Sequence, residues 1–171
     1  MRAVIERLSA AWALLGGLIL IAIVGVTVVN AGAFTADRVA ALFGATVAGL
    51  PGYEDFVRLA VAAASPMFLP YCQVRRGHLA VDLLMNAAPR RVQRIADAAS
   101  LVLLAGAALF LGYWMVLGML ETRADNVLSR VLGWVEWPFY IPGIVSLVLW
   151  AAVALAQLRR PSGPPPEPAD G

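Results

Sequence analysis

Two short stretches of the 171-residue chain hold most of the side chains able to do chemistry. The first, residues 51–58, places Glu54, Asp55 and Arg58 at the entry to an apolar run. The second, residues 68–84, holds the one cysteine and the one histidine, Cys72 and His78, with Arg75, Arg76, Gly77 and Asp82 beside them. Arginines here can bind lipid phosphates or helix-end carbonyls, and Gly77 permits a sharp turn. His78 and Asp82 are four apart, so they share a face if the segment is helical. Leu79, Leu83 and Leu84 then dip into the interface. Three readings stay open: a basic membrane anchor with one local His–Asp contact, a proton relay or ligand site, and a partner-docking corner. Cys72 beside Tyr71 reads as a small packed residue.

Other chemistries lack their residues. A di-haem cytochrome needs several axial histidines, and a disulfide oxidase needs paired cysteines. Zinc and di-iron sites need clusters of Cys, His, Asp or Glu. A phosphate-binding glycine loop ends in lysine, and all 13 basic residues here are arginine. The sequence therefore predicts no catalytic residue, no metal ligand, no cofactor and no enzyme. A net charge of +2 is too small to indicate nucleic acid as a partner.

The elements that must position these residues are set by lipid. The chain is 61% hydrophobic and 14% charged, against about 25% charged for a soluble domain. Four windows carry no charge: residues 8–29, 59–74, 98–120 and 137–158. Three of them reach the ~30 Å hydrocarbon thickness at ~1.5 Å per residue. The second reaches it only by recruiting Asp55 to Arg58, with Arg58 snorkelling from the helix end; a re-entrant segment is the alternative. Pro66 and Pro70 predict a kink within it.

These windows predict an all-α integral membrane protein: a four-helix transmembrane domain over residues 1–160, with spans at about 8–30, 55–74, 98–120 and 137–158. Nine arginines fall on one side and four on the other if both ends are cytoplasmic, which fixes that orientation. Arg2 and Arg7 ahead of the first window, and Ala31-Gly32-Ala33 after it, resemble a signal peptide. The apolar run exceeds the usual 7–15 residues, so a retained anchor is expected. Val39, Leu42, Phe43, Val47 and Leu50 recur at helical spacing, predicting a short amphipathic interfacial helix between the first two spans. An ordinary packed loop helix is the alternative. Pro89 predicts the start of the helix carrying Arg90, Arg91 and Arg94. Trp134, Trp137, Phe139 and Tyr140 read as an outer aromatic belt, with Trp12 serving the inner side. Ala105, Ala108 and Gly112 form a small-residue face for close helix contact, within the chain or with a partner. Polar content inside the first, third and fourth windows is sparse, with Ser9, Thr27, Ser100 and Ser146 standing out. The tail, residues 161–171, has five prolines and is expected to be disordered.

These motifs resemble the small membrane subunit of tripartite ATP-independent periplasmic (TRAP) transporters. The resemblance runs through Pro51-Gly-Tyr-Glu-Asp-Phe-Val, then residues 68–84, then Pro89-Arg-Arg. Its most specific part is Arg-x-Gly-His-x-x-Val-Asp, here Arg75, Gly77, His78, Val81 and Asp82. The family's acidic residue at the second helix corresponds to Glu54 or Asp55, and residues 34–50 are an extra stretch. The resemblance implies a bacterial inner-membrane scaffold subunit. Its expected partners are a large membrane permease subunit bearing substrate and sodium sites, a periplasmic solute-binding protein delivering an organic acid, and membrane lipids.

Overall fold

The computed structural model describes residues 2–75 and 89–158. They form five α-helices: α1 (Arg2–Ala41), α2 (Tyr53–Ala64), α3 (Leu69–Val74), α4 (Arg90–Ala124) and α5 (Ile141–Leu158). Two 3₁₀ turns, Ser65–Phe68 and Trp137–Tyr140, lead into α3 and α5. Among the described residues there is no strand, only an isolated bridge between Leu128 and Val135 in the α4–α5 loop.

Both 3₁₀ turns follow from prolines four apart. Pro66 and Pro70 begin one turn and the helix after it; Pro138 and Pro142 do the same before α5. Each ring removes an N–H and crowds the preceding turn, so the backbone tightens locally before resuming α geometry. Three helices are long and apolar enough to cross a membrane: those covering Val4–Ala41, Arg91–Ala124 and Trp137–Leu158. The expected second span is instead broken into α2, the 3₁₀ turn and α3.

The interfacial helix predicted between the first two spans is not a separate element. Residues 31–41 prolong α1 to Ala41, and residues 45–50 are irregular. No proline interrupts this stretch, and Thr35 satisfies its hydroxyl within the helix by donating to the Ala31 carbonyl at 3.0 Å. The chain reverses at Gly44, whose φ is +73°. It is then held against α1 by two acceptors: Asp37 takes the Val47 N–H at 2.8 Å, and Asn30 takes the Leu50 N–H at 3.0 Å.

The helices stand in a row. α1 packs on α2 and α3, these pack on α5, and α5 packs along α4; α1 and α4 share no substantial contact. The buried stripe of α1 repeats every seven residues through Ser9, Gly16, Ile23 and Asn30, joined by Ala13. Gly16 lets the turn at Met67 and Phe68 come close, since a Cβ there would lie 3.0 Å from the Met67 Cβ. Ala60, Ala63 and Ala64 of α2 are buried between their neighbours. Small residues suit a bundle in lipid, where association rests on van der Waals contact and interhelical hydrogen bonds.

Candidate functional site

At the end of the bundle where α2 begins, the polar residues hold the α4–α5 loop. Gly52 caps α2 with φ +77°, and Glu54 and Asp55 stand in the first turn, where carboxylates suit the positive end of the helix dipole. Asp55 is buried, and one of its oxygens accepts the backbone N–H groups of Val131 at 2.7 Å and Leu132 at 3.1 Å. One turn on, Arg58 pairs with Glu136 at the far end of that loop, its second nitrogen 3.5 Å from the second carboxylate oxygen. Between these anchors the loop closes on itself: the Ser129 N–H donates to the Trp134 carbonyl at 2.8 Å, and the Ser129 hydroxyl accepts the Trp134 N–H at 3.0 Å. Beside it, Glu54, Arg130 and Val127 help line a cavity of about 480 Å³.

The aromatics read as a belt gather at the same end. Trp134 stacks on Phe139 and meets Phe56 edge-on. The Arg123 guanidinium lies 5.2 Å from the Trp137 ring centre. Trp12 of α1 donates its indole N–H to Ser146 Oγ of α5 at 2.8 Å.

At the opposite end a second polar cluster joins α3 to α5. Gln73 donates to Gln157 Oε1 at 2.8 Å and accepts the Trp150 N–H at 3.3 Å; Gln157 in turn donates to the Gln73 carbonyl at 2.9 Å. Arg75 ends α3, its guanidinium 5.8 Å from the Tyr71 ring centre, and Cys72 is exposed rather than packed. Arg90 and Arg91 open α4 after Pro89, whose carbonyl accepts the Val92 N–H. Arg76, Gly77, His78 and Asp82 lie outside the described residues, as do residues 159–171. Ala105, Ala108 and Gly112 are buried, and Gly112 faces Leu147 of α5, so this contact is made within the chain.

The arrangement fastens elements together. Asp55 and Glu136 are both occupied by groups of this chain, and among the described residues no three His, Cys, Asp or Glu side chains converge as a metal site. Sequence reasoning missed Asn30, Gln73, Gln157 and Ser129. The signal for the glutamines was present: each is an amide inside an otherwise apolar window, where an unpaired polar group is costly. Their pairing across 84 residues had no local sign.

The family model for tripartite ATP-independent periplasmic transporters, DctQ component, matches residues 38–162, well over half of the chain. The chain belongs to this family. It is thereby the small-subunit component of a TRAP transporter, a membrane transport protein from a family of transporter components rather than enzymes. No curated protein and no solved structure matches it. The matched region covers the Asp55 and Arg58 anchors, both glutamines and the α4–α5 seam, and leaves residues 2–37 of α1 outside.

Proposed function

We propose that this chain is a static scaffold in the bacterial inner membrane. It braces a large permease subunit during sodium-driven, binding-protein-dependent import of an organic acid. The observation that carries the reading is where the charges are. The four charge-free windows contain no ionised side chain, and the acids Asp55 and Glu136 at their edges are engaged in holding the chain's own loop. Cargo binding and ion coupling need charged groups within the membrane, which the four windows lack, so we assign them to the partner.

In this reading the chain crosses the membrane four times with both ends cytoplasmic, within one domain over residues 1–160. The broken segment, residues 53–74, provides the fourth crossing; at ~1.5 Å per residue its pieces, end to end, reach ~33 Å. Glu54, Asp55 and Arg58 then lie at the periplasmic face. Arg75, Arg76, Gly77, His78, Asp82, Arg90 and Arg91 form the cytoplasmic lipid-interface and partner-docking corner. Reconstitution tests the assignment. The tagged chain should carry a large multi-span permease through purification, and proteoliposomes should import solute only when both subunits and the binding protein are present. Import by this chain alone would overturn it.

A further inference from the structure

Away from the span ends, the other indole donors are paired. Trp12 donates to Ser146 and Trp150 to Gln73. Tyr113 and Trp114 of α4 differ: they are 62% and 57% exposed, and among the described residues neither O–H nor N–H has a hydrogen-bond partner. Their depth makes this costly. The charge-free stretch of α4 lies between Asp97 and Glu121, centred near residue 109. Tyr113 and Trp114 are therefore only about 6–8 Å from the midplane along the helix axis. Side chains on a helix lean toward its N-terminus, which brings their polar atoms deeper still. The headgroups begin about 15 Å from the midplane, beyond the reach of an interfacial aromatic.

Lipid chains offer no acceptor. They suit the outward face of α1, where Leu14, Leu18, Ile21 and Val24 are aliphatic and exposed. On α4 the exposed face has shape as well as donors. Phe110 and Tyr113 each meet Trp114 edge-on, at 6.4 and 6.0 Å between ring centres. Gly106 lies exposed one to two turns below them, where an added Cβ would touch nothing within 4 Å.

We propose that this face of α4, comprising Gly106, Phe110, Tyr113 and Trp114, is the seam on which the large permease subunit docks. The partner is a transmembrane helix whose oxygen atoms accept the Tyr113 O–H and Trp114 N–H and whose backbone approaches Gly106. A symmetric second copy fits less well, because it would bring the same donor-rich face and leave each indole N–H only a phenol to meet. The inference rests on the scaffold reading above.

Photocrosslinking in the intact membrane complex tests it, with p-benzoylphenylalanine placed at position 113 and, as a control, at position 18 of α1. The expected result is a covalent adduct to the large subunit from position 113 and lipid adducts alone from position 18. In purified complex, Tyr113→Phe should weaken subunit association about threefold, the size of one interhelical hydrogen bond, and Gly106→Leu should weaken it further. A large subunit that co-purifies while position 113 labels only lipid or a second copy overturns the seam and leaves the scaffold role standing. A tagged chain that retains no large subunit overturns the scaffold role, and the seam with it.

Discussion

A single oxygen of Asp55 accepts the backbone N–H of Val131, 76 residues away in sequence, at 2.7 Å, and that of Leu132 at 3.1 Å. A carboxylate at the start of one helix thus replaces the strand or cap that would otherwise satisfy these amides. Replacing Asp55 by Ala should leave both donors without a partner and loosen the loop. Hydrogen exchange at Val131 and Leu132 should accelerate, while the interior of α5 exchanges as before. Asp55→Asn retains an acceptor oxygen without the charge and should fall between. Unchanged exchange in Asp55→Ala would show that the loop is held by its own Ser129–Trp134 closure.

Gly52 carries the other half of that junction. Its φ of +77° disfavours any side chain, and a Cβ there would come 2.6 Å from Leu132 Cγ. Gly52→Ala should destabilise the fold by about 1–2 kcal/mol from backbone strain, with a further loss from displacing Leu132. Gly17→Ala provides the contrast: its Cβ meets nothing within 4 Å, and alanine is the better helix former by ~1 kcal/mol. Unfolding titrations in mixed micelles should move in opposite directions for the two variants.

The long apolar helices were legible because membrane spans are written locally, as windows without charge. Pro66 and Pro70 announced a break but not its 3₁₀ form, nor that Gly16 would lie against Met67. The stretch after the first window misled because the helical spacing of Val39, Leu42, Phe43, Val47 and Leu50 predicted a separate helix; the structure instead continues α1 to Ala41, since no proline interrupts it. Within the site, Glu54, Asp55 and Arg58 stood out by charge and position. Their partners did not, because Val131 and Leu132 act through backbone N–H groups that every sequence position offers.

Arg58 and Glu136 join α2 to the far end of the same loop, yet the pair should matter little for stability. The Arg58 side chain is 55% exposed, and ion pairs in such settings contribute about 0.2–1 kcal/mol and are screened by salt. A double-mutant cycle with Arg58→Gln and Glu136→Gln should give a coupling energy under about 1 kcal/mol, smaller at high ionic strength. Coupling of several kcal/mol, independent of salt, would mean that the pair is shielded from water in the membrane.

The Gln73–Gln157 pair should behave in the opposite way, because it lies among apolar helices rather than in the loop. Gln73→Leu alone takes a hydrogen-bond partner from the Gln157 amide and from the Trp150 N–H. Interhelical hydrogen bonds in bilayers average about 0.6 kcal/mol and reach about 1.7, so the single variant should lose about 1–2 kcal/mol in the same unfolding titrations. Replacing both glutamines by leucine removes the Gln157 side-chain oxygen that the single variant orphans, and leaves the Trp150 N–H and the backbone carbonyl of residue 73 without their glutamine partners; apolar replacement of both partners can be nearly neutral. The double variant should therefore be more stable than Gln73→Leu. Simple additivity of the two single losses would mean that the bonds to the Trp150 N–H and the Gln73 backbone carbonyl carry the effect, and that the mutual side-chain bond does not hold α3 to α5.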